Sequence, residues 1–226
     1  MTENKKESMF VNTIEPFWVD PERDWAETPV EDRAVLKPKP EKDVLAIVGD
    51  GACVLEDMDR FLSFDVPADF MCINFSPKIM PGGLPIAHFI AGDSHTPDMQ
   101  KMAESLEGLL TIRHCWNRNS PNFDVRWSRN SSKPWNGTSA NLGLRIGIYL
   151  GYMRIVLIGC PMDNSGNWYT KKLAETDVKR YKDHTAHLWK WVEIASRPIG
   201  RFVRSMSGET MKLLGEPDKD WLENLF

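Results

Sequence analysis

Two short apolar runs constrain this chain most. Val44-Leu45-Ala46-Ile47-Val48 ends in the turn Gly49-Asp50-Gly51, and Ile155-Val156-Leu157-Ile158, the heart of a strand expected from Tyr152, ends in Gly159. A strand with one wet face alternates apolar and polar residues. A run without alternation is buried on both faces, as in the inner strands of a parallel sheet. Apolar residues at helical spacing follow the first run: Leu55, Met58, Phe61 and Leu62. Similar patterns predict strands over 70–75, 86–91, 110–114 and 200–203. Helices are predicted over 97–109, 138–150, 171–195 and 221–226. The order is β-α-β-β-α-β, a long loop over 115–137, then α-β and α-β. Such alternation predicts an α/β fold: a Rossmann-like, mostly parallel sheet with helices on both faces. The length, 226 residues, suits a single domain with appendages.

That domain is assigned to residues 44–207. Residues 1–43 are charged and Pro-rich and read as an extended N-terminal arm. Its Phe17, Trp18 and Trp25 are expected to dock on the same domain or on a neighbouring subunit, which would make a homo-oligomer. Residues 208–226 read as a C-terminal capping segment. Apolar runs reach only about ten residues, too short to span a bilayer. Met1 to Ser8 are polar, unlike a signal peptide. Cys53, Cys72, Cys115 and Cys160 form no CxxC pair and read as buried free thiols, pointing to a cytoplasmic protein. The net charge of −4 argues against a broad nucleic-acid surface.

Ligands of such sheets bind beyond the carboxyl ends of the strands, so the loops there hold the candidate residues. The backbone of Gly49, Asp50 and Gly51 opens onto a helix start, where free N–H groups attract anions. A third glycine is missing and the second strand ends in Asn74, so NAD is disfavoured. Asn136-Gly137-Thr138-Ser139 begins another helix, whose Gly143 and Gly147 would let it lie close to the sheet. Asp163 opens a polar loop that runs to Tyr169. Asp93 and His95 share a loop after a strand, and His184 and His187 supply imidazoles suited to proton transfer near neutral pH. Asp57 and Asp59 spell D-x-D, yet fall in a helix and read as solvated. A tight turn with nothing bound and a plain N-cap remain alternatives for the two glycine-containing segments.

Four of these pieces occur in an order that resembles the small bacterial sialyltransferases that use CMP-sialic acid, and the related MptE-like group with its 6-hydroxymethylpterin diphosphokinases. The matching residues are Gly49-Asp50-Gly51-Ala52-Cys53-Val54, Cys72-Ile73-Asn74, Thr138-Ser139-Ala140, and Leu150 to Gly159. Tyr181-Lys182-Asp183-His184-Thr185 is similar to the segment carrying the family's base. The first turn's Pro-Ser is Ala52-Cys53 here, Pro161 replaces an acidic residue, and Asp163 stands where the first of two phosphate-binding tyrosines would be. The resemblance covers about residues 44–207. It implies a glycosyltransferase-like enzyme with a nucleotide-sugar donor, an acceptor hydroxyl and no required cofactor, and the departures point away from sialic acid as the sugar. Asn74 and the Gly49–Gly51 backbone would hold the nucleotide. Ser139 and Tyr169 would contact the phosphate, and His184 would be the base, with His187 behind it. The MptE-like alternative is a pyrophosphokinase whose Mg²⁺ sits on Asp93 and Asp163. A non-enzymatic relative from a phage or mobile element is the third expectation.

Overall fold

The computed structural model describes residues 40, 42–116, 120–127, 137–168 and 184–224. Residues 1–39 and 41 of the arm, Asn136, Tyr169 and residues 171–183 of the long helix expected over 171–195 lie outside them.

Seven strands form one all-parallel sheet: β1 (Val44–Val48), β2 (Ala68–Ile73), β3 (Ile86–Ala91), β4 (Ile112–Cys115), β5 (Val125–Arg126), β6 (Arg154–Ile158) and β7 (Val203–Ser205). Their spatial order is β5-β4-β3-β2-β1-β6-β7. The chain steps outward from β1 to β5, then returns to the other side of β1 for β6 and β7. The strand order therefore reverses between β1 and β6, and the crevice outside their carboxyl ends is the topological switch point.

Both expected apolar runs are buried along their whole length. Side chains of β1 alternate between two cores. Leu45 and Ile47 face helix α3 (Ser139–Leu150) and helix α4 (Leu188–Ser196), while Val44, Ala46 and Val48 face helices α1 (Val54–Leu62) and α2 (Pro97–Ser105). The expected α/β fold with helices on both faces is thus the observed one. Helix α3 lies close to the sheet because of its small residues. A Cβ on Gly147 would fall 2.7 Å from Leu45 Cδ2 and 3.0 Å from Ile155 Cδ1. Helices α5 (Gly208–Leu214) and α6 (Lys219–Glu223) finish the described chain and add Leu214 and Leu222 to the two cores.

Several boundaries differ from expectation. The strand expected over 110–114 is shifted to 112–115, and that over 200–203 to 203–205. Strand β2 ends at Ile73, and helix α2 stops at Ser105. Strand β5 lies inside the expected loop; its two residues are too short for any periodicity. It is held in place by Asp124, whose carboxylate takes the backbone N–H and the guanidinium of Arg113 at 2.7–2.9 Å. Helix α5 begins at a glycine and gave no sequence signal. The Pro161 carbonyl, accepting from Glu209 N at 2.8 Å, fixes its start. Asp57 is buried, not solvated, and its Oδ2 accepts from Gly159 N at 2.9 Å and from Ser207 Oγ at 2.6 Å.

Candidate functional site at the switch point

The carboxyl ends of β1 and β6 are bound to each other. Gly49 N donates to the Ile158 carbonyl at 2.7 Å and Gly51 N to the Gly159 carbonyl at 2.9 Å. Their glycines are needed for this approach: a Cβ on Gly49 would fall 2.5 Å from the Gly159 carbonyl oxygen, and one on Gly51 2.7 Å from it. Two of the N–H groups expected to face a ligand are therefore engaged within the protein. The glycines act by letting the two loops meet, and the loops form the wall of a cavity.

That cavity holds about 120 Å³. It is lined by Gly49, Asp50 and Gly51 after β1, by Asn74 after β2, by Thr138 to Ala140 at the start of α3, and by Gly159 to Asp163, with Gly166 and Asn167, after β6. Asn74 has a left-handed backbone (φ 52°), as has Met162 (φ 51°). Such conformations cost free energy in residues with side chains, and they cluster at functional sites. Asn74 N donates to the Ile90 carbonyl at 2.9 Å, which ties this turn to β3.

The start of α3 is organised by a reciprocal cap. Thr138 Oγ1 accepts from Asn141 N at 3.3 Å, and Asn141 Oδ1 accepts from Thr138 N at 3.1 Å. Ser139 Oγ accepts from Gly92 N at 3.2 Å, which leaves its own proton free to donate. This end carries the partial positive charge of a twelve-residue helix. Gly137 packs against the stem of Lys190 from α4; a Cβ there would fall 2.5 Å from Lys190 Cδ.

Two carboxylates share the cavity. Asp163 Oδ1 accepts from Ser165 N at 2.9 Å. Burial pushes the Asp50 carboxyl up to about 6, against the smaller opposing pull of its own backbone N–H. No lysine or arginine is among the described residues of the wall. One side of the cavity therefore offers hydrogen-bond donors and a helix start to an anion, and the other offers carboxylates to hydroxyl groups.

Asp50, Asn74, Thr138, Ser139 and Asp163 are thus brought together with Gly49 and Gly51. Asp93 is not: it lies exposed on the turn after β3, where its carbonyl accepts from Thr96 N at 3.0 Å, outside the cavity wall. The Asp93–Asp163 pair expected to hold Mg²⁺ does not converge on this cavity. Among the described residues no group of three or more His, Cys, Asp or Glu side chains is assembled for a metal ion. His187 stands at the N-terminal boundary of α4, without a side-chain capping bond, and does not line the cavity. The His184 backbone begins the 3₁₀ turn before α4; its side chain, Asn136 and Tyr169 lie outside the described residues.

Asn167 belongs to the polar loop expected to hold a ligand, but its backbone bridge to Gly51 was not foreseen, and sequence reasoning missed the wall from Gly159 to Met162. A signal existed: each central strand ends in glycine, and two such ends placed side by side make a close contact. All four cysteines are free, as expected, with Cys72, Cys115 and Cys160 buried and Cys53 partly so. Burial raises the Cys53 and Cys72 thiols to about 12. Among the described residues no helix is long and apolar enough to cross a membrane. Compared with known proteins, the chain matches no family model, no curated protein and no solved structure.

Proposed function

We propose that the protein is a transferase that takes a nucleotide-activated donor, a nucleotide sugar above all, and passes the sugar to an acceptor hydroxyl. One observation carries this reading: a helix start that suits phosphate and two carboxylates that suit sugar hydroxyls face one cavity at the switch point of a parallel sheet. Its volume fits one end of such a donor. Under this reading Ser139 Oγ and the first amides of α3 hold the phosphate and stabilise the charge that grows on it as the sugar leaves. Asn74 meets the nucleotide, and Asp163 orients the sugar. His184 is the base that takes the acceptor proton, and Tyr169 a second phosphate contact, as the resemblance implies. Asp50, with its carboxyl near 6, is a second group able to exchange a proton near neutral pH.

Thermal shift against CMP, UDP, GDP, ATP and their sugar conjugates tests the reading. A cognate ligand at about 100 times its Kd adds about 2.7 kcal/mol of stability. Ser139→Asp, which sets a negative charge at the phosphate position, should abolish that shift and leave the unliganded melting curve nearly unchanged. His184→Ala should keep the shift and lose turnover. A wild-type protein that responds to none of these ligands would refute the proposal.

A further inference from the structure

A second cavity of about 570 Å³ lies at the opposite end of the sheet, where β2, β3 and β4 begin. Its size falls within the range of small-molecule sites. Leu106, Leu109, Leu110 and Leu150 supply apolar wall, and Asp69, His88 and Tyr152 bring polar groups to it.

Those polar groups end a hydrogen-bonded chain whose direction is fixed. Trp127 Nε1 can only donate, and it donates to His114 Nδ1 at 3.1 Å. A neutral His114 therefore carries its proton on Nε2, which lies 3.1 Å from His88 Nδ1. His88 in turn must carry its proton on Nε2, 3.3 Å from Tyr152 Oη. Tyr152 Oη then donates to Asp69 Oδ2 at 2.9 Å. Burial holds both imidazoles neutral: His88 is pushed down to about 4, and His114 lies well below the ordinary range, lowered by burial first and by His88 second.

Most side-chain donors of the wall are thus engaged, with two of the five Arg113 N–H groups left over. His88 serves Tyr152, and Tyr152 serves Asp69. Thr111 donates to the Ile86 carbonyl at 2.6 Å, and Arg113 is turned onto Asp124 and the Ala103 carbonyl. Acceptor capacity is left over on the carboxylates of Asp69 and of the exposed Glu107 at the rim. The protein itself shows what Asp69 accepts: the Lys42 ammonium lies 3.1 Å from Asp69 Oδ1.

From this donor-poor, acceptor-rich cavity with leucine walls we infer a second binding site, separate from the switch-point cavity, that takes an ammonium compound with an apolar body. The ammonium lies between Asp69 and Glu107, and the hydrocarbon lies along the leucines.

Titration calorimetry of the full chain at pH 7 with hexylammonium, phenethylammonium, hexanol and hexanoate tests it. The two ammonium compounds should bind saturably, and hexanol and hexanoate at least tenfold more weakly. Glu107→Lys, at an exposed rim position, should weaken hexylammonium at least tenfold without lowering the melting temperature. Ala87→Leu, which fills the cavity, should do the same without touching the hydrogen-bonded chain. Equal binding of hexanol, an unchanged affinity in both variants, or binding that appears only after residues 1–39 are removed would each overturn the inference. The last result would mean that the chain's own leading segment is the occupant.

Discussion

Gly49 has no room for a side chain, and its neighbours cannot easily make room. A Cβ there would meet the Gly159 carbonyl oxygen at 2.5 Å and Cys160 Sγ at 2.6 Å. Gly49→Ala must push the two central loops apart, and overpacking of this kind costs about 1–3 kcal/mol. Urea denaturation should show that loss, together with a weaker response to whatever ligand the switch-point cavity takes. Asp50, one residue on, makes the opposite prediction. Its carboxyl is raised by burial from an ordinary 3.8 to about 6. Between those values the folded chain holds a proton that the unfolded chain has released. The associated stability is full below pH 3.8 and is lost as pH rises through 6. At pH 7 the buried charge costs up to about 3 kcal/mol, at 1.36 kcal/mol per unit. Asp50→Asn removes it. The variant should be more stable than the wild type at pH 7.5, by about 1–3 kcal/mol, and nearly equal to it at pH 3.5. Denaturation curves at the two pH values decide this, and a variant less stable at pH 7.5 would contradict the burial argument. Both glycines and Asp50 were visible in the sequence as a turn. That the turn's N–H groups serve β6 was not, because the reason lies about a hundred residues away along the chain.

The elements show the same division between local and distant causes. Helix α3 was legible because its signals are local: Thr138 as cap, an apolar face, and Gly143 and Gly147 toward the sheet. Thr138→Ala should cost about 1 kcal/mol and shift hydrogen exchange first in the amides of Ser139 to Asn141. Strand β5 was not legible, because Val125–Arg126 owe their place to long-range bonds. On one side Arg113 grips Asp124. On the other, Trp127 N donates to the Cys115 carbonyl at 2.8 Å and the Trp127 indole donates to buried His114. Trp127→Phe keeps an aromatic ring and removes the donor at one end of the hydrogen-bonded chain. His114 Nδ1 would be left buried and unsatisfied, at a cost of about 1–3 kcal/mol. Denaturation should show that loss. NMR of the His114 and His88 ring nitrogens should still show both protons on Nε2, because Asp69 and Tyr152 hold the chain's direction from its other end; a changed tautomer would contradict this.

Across the whole molecule, the order of the strands decides where chemistry can occur, and the sequence carries that order only indirectly. Two strong apolar runs and their glycine ends were readable. Their adjacency in the sheet, which creates the crevice, follows from a crossover of about a hundred residues that no local pattern announces. The same long-range logic closes the opposite side of the molecule. Arg154, at the start of β6, is buried, and its guanidinium donates to the Trp221 carbonyl and the Asn224 carbonyl, each at 2.9 Å. It also lies over the rings of Trp221 and Phe202, at 5.0 and 5.8 Å. Helix α6 therefore acts as a counterpart for a buried cation on a central strand. Removing residues 218–226 takes away both carbonyls and the Trp221 ring while leaving the guanidinium in place. Hydrogen bonds to a charged group are worth about 1.5–3 kcal/mol each, so the truncated chain should lose roughly 3–6 kcal/mol, a large share of the stability of a typical domain. Arg154→Met in the truncated chain should recover part of that loss, because an apolar side chain needs no acceptors. If the truncation is harmless, or if Arg154→Met makes it worse, α6 does not serve the guanidinium and Arg154 is satisfied from within the sheet.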